Sequence, residues 1–393
     1  MFFLLSALLA VLSFIVLIPI MTFSLQCFLS FLPGRKNEFE QDKLPRLAVL
    51  IPSHNEEAIV SGIIQDVKSQ AKENDRVIVI ADNCEDSTAD VAREHGAEVF
   101  ERSDLNDRGK AYALRFALEK LEADPPEVVI IVDADCRISP DALAHLSSKA
   151  ANLDRPVQGS YIFGDQTEAA ASNNASSFTL WFKNHIRPLG SLRAGLPCQL
   201  TGSGMAFPWH VIRKVNVANQ SLAEDTTLGL ELAYAGHPPI FCPEARIDGH
   251  VPKEWGTLVQ QRRRWEQGYL ESILSNAPKM AVKSFRARRP GLLWAAFDLC
   301  IPPVGLLGIA WGILALCALL LAFFGGAWLS FNLLGFGALL MGVSLLLGWL
   351  VHCRDIVPAK AILALPWFLV RKVVIYVSLL LKKEKVWLRT ERD

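Results

Sequence analysis

Two long stretches without a charged side chain constrain this chain more than any other feature. The first covers residues 1–34, with the core FFLLSALLAVLSFIVLIPIM, and the second runs from Leu299 to Val351. About 20 consecutive apolar residues cross the hydrocarbon of a bilayer as a helix. The first stretch is therefore long enough for one span, and the second for two, turning at FFGGAW (Phe323 to Trp328). A cleaved signal sequence wants a basic start and a shorter apolar run, and residues 1–34 have neither. Arg35 and Lys36 follow the first stretch. Lys283, Arg286, Arg288 and Arg289 precede the second, and His352, Arg354 and Lys360 follow it. Positive flanks stay cytoplasmic. The expected path is one span over 1–34, a cytoplasmic domain over 44–289, and a hairpin over 292–352 that leaves and returns. Residues 361–381 are apolar but interrupted by Pro366, Arg371 and Lys372. A charge at the bilayer centre costs about 2.5–3.5 kcal/mol on the insertion scale. The segment 361–393 is read as an interfacial helix with its basic face towards lipid headgroups, plus a basic cytoplasmic tail. A tilted fourth span is the alternative.

The rest of the chain has a globular composition. Hydrophobic residues make up 51% and charged residues 20% of the 393, as expected when membrane and soluble segments share one chain. Lys+Arg and Asp+Glu are 40 each; nucleic acid, which calls for a basic surplus, is not an expected partner. None of the eight cysteines sits at CxxC or zinc spacing, so they read as reduced thiols. Short apolar runs, LAVLI (47–51), RVIVIA (76–81), AEVF (97–100) and VVIIV (128–132), alternate with helical segments at 59–71, from Ser87, and at 110–122. That alternation predicts an α/β domain with a mainly parallel sheet covered by helices on both faces.

Ligands of such a sheet bind beyond the carboxyl ends of the strands. The residues there are Pro52-Ser53-His54-Asn55-Glu56-Glu57, Asp82-Asn83-Cys84-Glu85-Asp86 and Asp133-Ala134-Asp135. No GxGxxG or GxxxxGK[ST] is present, which argues against dinucleotide and P-loop chemistry. Asp133 and Asp135, two carboxylates at i and i+2, project to one side of an extended chain. They either hold a hard divalent cation through oxygen or cap the next turn. Asp82 can accept from a nucleobase N–H, and Asp86 or Ser87 just after it is expected to cap the helix that follows. Lys110 opens a helix after Gly109, where an ammonium can reach phosphate. Ser221 and Glu224 form a capping-box pattern, and Asp225 beside them is a first-turn carboxylate, a general base, or both, since the box would orient the turn that presents it. Gln261, Arg264 and Trp265 share one helix face, suited to diphosphate and a stacked ring. Arg262 and Arg263 point elsewhere, towards headgroups. Gly202, Ser203 and Gly204 either line a pocket through backbone N–H groups or form a simple turn.

In order, IPSHNEE (51–57), DNCEDST (82–88), RGKAYAL (108–114), DAD (133–135), TGSGMAF (201–207), ED (224–225) and QRRRW (261–265) resemble glycosyltransferase family 2. The resemblance covers essentially the whole soluble part. It implies the GT-A fold, Rossmann-like, joined here to transmembrane helices. It implies an inverting transfer from a nucleotide sugar, such as a UDP-sugar, with Mg2+ or Mn2+. Pro52, Asn55, Glu56 and Asp82 would bind the donor, and Asp133 and Asp135 the diphosphate and metal. Lys110, Gly202, Ser203, Gly204 and Glu224 would complete the substrate site, with Asp225 as base. Gln261, Arg264 and Trp265 would hold diphosphate and acceptor. The layout is similar to bacterial inner-membrane transferases that build exopolysaccharide or lipid-linked saccharides, so a lipid-linked or glycan acceptor, membrane lipids and polysaccharide-assembly proteins are the expected partners. Two further readings stand beside it: a processive synthase, and a non-catalytic scaffold. The few spans after QRRRW and the lack of an FxVTxK-type segment weigh against the first. The intact motifs weigh against the second.

Overall fold

A computed structural model describes residues 2–34, 44–163, 175–218, 223–250, 255–324 and 326–381. Arg35, Lys36, Ser221 and the basic residues from Lys382 onward lie outside them. The chain opens with helix α1 (Phe2–Leu29), which holds no charged residue. Strands β1 (Leu47–Ser53), β2 (Arg76–Asp82), β3 (Glu98–Arg102) and β4 (Val128–Ile131) follow, interleaved with α2 (Val60–Lys68), α3 (Thr88–Glu94) and α4 (Lys110–Leu121). The four strands are parallel and ordered β3-β2-β1-β4. Alternate strand residues face opposite sides, and each side has its own helix. Val49, Ile51, Val79 and Ile130 pack with Ile63, Ile64 and Val67 of α2. Ala48, Leu50, Ile78 and Ile80 pack with Leu114, Ala117 and Leu118 of α4. Burial on both sides is why these strands read as unbroken apolar runs.

The second half of the sheet is mixed. β5 (Cys136–Ile138), β6 (Val157–Phe163), β7 (Met205–Pro208) and β8 (Ile240–Gly249) complete the order β3-β2-β1-β4-β7-β6-β8-β5. β7 runs antiparallel to β4 and β6, β5 antiparallel to β8, and β6 parallel to β8. Helix α5 (Ala142–Leu153) covers this half on the side shared with α2. Between β6 and β7 lie α6 (Ala175–Trp181), a π-helical turn Phe182–Ile186, and α7 (Arg187–Arg193). Short α8 (Trp209–Ile212) and then α9 (Glu224–Ala235) lead to β8, and the long α10 (Trp255–Ala287) follows it.

The chain then turns to its second apolar region through α11 (Pro290–Leu299), α12 (Val304–Phe323) and α13 (Trp328–His352). Among the described residues, α1, α12 and α13 are long and apolar enough to cross a membrane. Two helices follow, α14 (Ala359–Leu363) and α15 (Leu365–Leu381). Leu363, Trp367, Val370 and Val373 are exposed there. Lys372 does not turn towards headgroups as expected. It is 4% exposed, and its ammonium donates to Glu266 of α10. A buried ammonium needs a carboxylate more than it needs a lipid surface. The side chain of Arg371 lies outside the described residues.

A buried polar knot ties α1 to α7 and α11. Gln26 of α1 donates from Nε2 to Asp298 Oδ1 of α11 at 2.6 Å and accepts from Arg187 Nε at 2.7 Å. Arg187 Nη2 pairs with Asp298 Oδ1 at 2.8 Å, and Gln199 Nε2 donates to Asp298 Oδ2 at 2.9 Å. Burying this ion pair is tolerable because the surrounding amides also satisfy its polar atoms. Beside it, Gly190 lets α7 touch α1: a Cβ there would lie 1.9 Å from the Gln26 carbonyl oxygen. Gly190→Ala must therefore push the two helices apart, an overpacking cost of about 1–3 kcal/mol. The protein in detergent should melt several degrees lower. An unchanged Tm would mean that α1 is not seated on α7.

Candidate active site

The parallel strands end along one edge, and the loops beyond them surround a cavity of about 240 Å³. β1 contributes Pro52 and, in its following loop, Glu56; β2 contributes Asp82; Asp133 and Asp135 follow β4. The first residues of α4 and α9 supply Lys110, Glu224 and Asp225. Gly202 comes from the loop before β7. α10 supplies Gln261, Arg264 and Trp265, so segments far apart in sequence share one space.

Asp82 is fixed by register. It stands opposite Arg102 in the β2–β3 pair, whose Nη1 donates to Asp82 Oδ1 at 2.7 Å. Both side chains are nearly buried, so any group accepted by Asp82 shares it with this guanidinium. The capping at this end of α3 falls to Asp86, which accepts from the Thr88 N–H at 3.0 Å, while Ser87 makes no side-chain cap. Asp133 is held from both ends. Its N–H donates to Ser203 Oγ at 3.0 Å, and its carboxylate accepts from the Lys110 ammonium. Lys110 also donates to the Gly202 carbonyl at 2.6 Å. Gly202 has φ +98°, a left-handed conformation that favours glycine. The loop thus turns a carbonyl to the site where a row of N–H groups was expected. Without a ligand, the Lys110 ammonium is engaged by the Asp133 carboxylate and the Gly202 carbonyl. Burial alone would lower its pKa, but Asp133, Glu224 and Asp225 outweigh this and hold it above its ordinary value.

Three expected contacts do not line the cavity. Asn55, at φ +53°, organises the loop by accepting from the Glu85 N–H at 2.7 Å. Ser203 is fully buried and acts behind Asp133. Gly204 sits in the sheet, donating to the Ile131 carbonyl at 2.9 Å, where a Cβ would meet Ile247 at 2.3 Å. Ser221 of the capping-box pattern lies outside the described residues, but the start of the helix differs from the one the pattern implies. α9 begins at Glu224 with Ala223 before it, which puts Glu224 in the first helical position, where the box would put it third. Arg262 faces a second cavity in place of headgroups.

Glu224 and Asp225 both have carboxyls raised above the ordinary range. For Glu224 burial comes first and the neighbouring Asp225 second, opposed by Lys110 and Arg264. For Asp225 burial again comes first, opposed by Lys183, the Thr226 N–H and Lys110. Lys183, from the π-helical turn, is a cavity residue that motif reading missed, as are Tyr161, Phe163 and Tyr269. Its ammonium lies over the Tyr269 ring, 5.0 Å from the centroid. Phe163 packs at 5.5 Å against Trp265 and at 4.4 Å against Tyr161, giving one wall of rings. A lone lysine inside the apolar run FTLWFKNHI was the available signal. π-Helical turns often occur at functional sites.

Asp133, Asp135 and Cys136 bring ligand atoms within 4.8 Å of one another. The two carboxylates suit a hard dication, which takes oxygen ligands. Cys136 does not: burial pushes its thiol well above the ordinary range, so it stays protonated. The fit is therefore to Mg2+ or Mn2+ on two carboxylates, with Lys110 sharing Asp133.

Residues 45–268, more than half of the chain, match the family described as "Glycosyltransferase like family 2". A probable glycosyltransferase of Bacillus subtilis, YdaM, is 24% identical over 266 residues, covering 65% of this chain and 61% of that protein. The beta-monoglucosyldiacylglycerol synthase of Trichormus variabilis is 24% identical over 265 residues, covering 60% of this chain and 53% of that protein. Both matches thus span less than two thirds of the relative. Among solved structures, the Pyrobaculum calidifontis mannosyltransferase PcManGT, in complex with GDP-Man and Mn2+, superposes with TM-score 0.57 at 18% identity. That superposition covers 91% of this chain and 100% of that one, and it supports the GT-A fold.

Proposed function

Since this chain belongs to the glycosyltransferase like family 2, we propose that its cavity transfers a sugar from a nucleoside diphosphate to a membrane-associated hydroxyl acceptor, with inversion. The observation that carries this reading is the meeting of Asp133 and Asp135, Glu224 and Asp225, and Gln261, Arg264 and Trp265 around one cavity. The donor's base and ribose lie towards Pro52, Glu56 and Asp82. Its diphosphate lies between the DAD carboxylates and the cations Lys110 and Arg264. A divalent ion on Asp133 and Asp135 supplies positive charge to the departing phosphates when bound. The acceptor oxygen forms a bond to the anomeric carbon as the bond to the diphosphate oxygen breaks, and the acceptor proton passes to Asp225. A carboxylate whose proton affinity is raised by burial takes that proton more readily, and Lys183 and Lys110 keep it ionised beforehand.

This assignment has a pH signature. Activity requires ionised Asp225, so it is present above the pKa of that group and lost as pH falls through it. Lys183 heads the charges that oppose the rise. Lys183→Gln should therefore move the acid limb of the kcat–pH profile to higher pH. A limb that stays in place would remove Asp225 as the group behind it.

The positive flanks of the apolar stretches support a cavity on the cytoplasmic face of a bacterial inner membrane. Inside-out membrane vesicles given a panel of nucleotide sugars should release nucleoside diphosphate and form a lipid-extractable product without detergent. Sealed right-side-out vesicles should do so only once permeabilised. No release from any donor in either preparation overturns the reading.

A further inference from the structure

The helix that brings Gln261, Arg264 and Trp265 to the cavity continues well past it, to Ala287. Beyond Leu274 its sides differ. One is buried: Ala277 and Met280 pack with Leu230 and Ala233 of α9 and with Leu292 and Ala296 of α11. Another is open and apolar. Leu274 is 80% exposed, Val282 51% and Phe285 73%. With Pro278, also exposed, they recur at i, i+4, i+8 and i+11, along one helix face. A contiguous apolar stripe on a helix that is otherwise packed calls for a surface to cover it.

The same stretch carries charge of one sign. Residues 272–297 hold five cations, Lys279, Lys283, Arg286, Arg288 and Arg289, and no Asp or Glu, in a chain whose charges balance. Lys283 lies over the Tyr234 ring, 4.0 Å from its centroid, and Arg289 donates to the Tyr234 carbonyl at 3.4 Å. Neither contact neutralises a cation. By the helical period, Lys279 and Arg286 run along one edge of the apolar stripe. An apolar stripe edged with cations is the pattern of a helix lying in a membrane interface, where anionic headgroups attract the cations. The chain keeps such a surface within reach. Helix α11, of 10 residues and so about 15 Å long, leads from α10 to α12, which is long and apolar enough to cross a membrane. A second copy of this chain suits the stripe less well, because it would set like charges against each other.

We propose that the second half of α10 docks on the anionic headgroup surface of the bilayer that takes α12. Leu274, Val282 and Phe285 enter the headgroup boundary, and Lys279 and Arg286 meet the lipid anions. Docking holds one end of the helix whose other end supplies Gln261, Arg264 and Trp265 to the cavity. This surface is separate from the sugar-transfer site, and its test does not depend on transfer.

The cations are themselves trypsin sites, which gives the experiment. The full chain is placed in vesicles of phosphatidylcholine, alone or mixed with phosphatidylglycerol, and trypsin is added outside. Cleavage after Arg286 and Arg288 is followed by mass spectrometry against cleavage after Lys72, which is exposed in the loop before β2, at the opposite edge of the sheet from the cavity. Reading both sites in one digest cancels differences in vesicle orientation. Each Lys or Arg near an anionic surface adds roughly fivefold to binding, so phosphatidylglycerol should slow cleavage after Arg286 and Arg288 at least about tenfold and leave Lys72 unchanged. High salt should weaken the protection. Lys279→Gln, which keeps both cleavage sites, should reduce it about fivefold. Leu274→Ser combined with Phe285→Ser should remove most of it with Tm in detergent unchanged, since both side chains are exposed. Equal cleavage in the two kinds of vesicle would overturn the inference, as would protection that survives the serine variant. Protection in phosphatidylcholine alone that grows with protein density would assign the stripe to a second copy of this chain and overturn the membrane as its occupant. All of these outcomes leave sugar transfer standing, because nucleoside diphosphate release tests it independently.

Discussion

Replacing either DAD carboxylate, Asp133→Asn or Asp135→Asn, is expected to lower transfer at least about 10³-fold, since charge stabilisation of a leaving phosphate by a bound cation is worth several kcal/mol. Chelation of the wild-type protein with EDTA should have the same effect, reversed by Mg2+ or Mn2+. Asp133→Asn should also lower stability. Asp133 also answers the ammonium of Lys110, so Asp133→Asn leaves a half-buried cation short of a partner, a cost of about 1–3 kcal/mol. Thermal unfolding in parallel with activity separates the two losses. Transfer that survives EDTA and both substitutions would end the case for a metal here.

Asp225→Asn is expected to reduce kcat by about 10²–10⁴-fold, the usual contribution of a general base, with little change in donor KM. The substitution is mild for the fold. Asp225 Oδ1 accepts from the Thr226 N–H at 2.7 Å, and the asparagine carbonyl can accept the same bond. Equilibrium binding of the nucleoside diphosphate should stay near wild type, because the base meets the acceptor and not the donor. Near-normal turnover would reduce Asp225 to a first-turn residue of α9.

The parallel half of the sheet was legible because β1, β2 and β4 are apolar on both faces. The other half was not, and its polar residues explain why. β6 is buried along its whole length, yet Gln158 and Ser160 interrupt its pattern. Gln158 donates to the Ser203 carbonyl at 2.8 Å, and Ser160 shares a hydrogen bond of 2.7 Å with His185 Nδ1. Burial then pulls His185 down to about 4, so it stays neutral. β8 likewise carries Pro243, Glu244, Arg246 and Asp248, with register shifting between Gly159 and Ser160 of its partner. Among site residues, those in short motifs with chemistry of their own, such as Asp133, Asp225 and Gln261, were readable. Ser203 was misassigned because sequence does not distinguish a residue that touches a ligand from one that braces Asp133 from behind. Lys183 and Tyr269 were missed because they join the site only through tertiary packing of the π-helical turn against α10.

The polar knot around Asp298 has a consequence for the order in which the molecule is made. Gln26 and Asp298 are 272 positions apart. At bacterial or eukaryotic synthesis speeds of roughly 5–20 residues per second, tens of seconds separate their appearance. Throughout that interval Gln26 lacks the Asp298 carboxylate, and Arg187 emerges 111 positions before the carboxylate that will neutralise it. The knot therefore becomes complete only after α11 has packed against α1 and α7. A nascent chain in which α11 does not reach α1 and α7 keeps an unneutralised arginine in its interior. The last-made of these three side chains is thus the one that completes the buried pair.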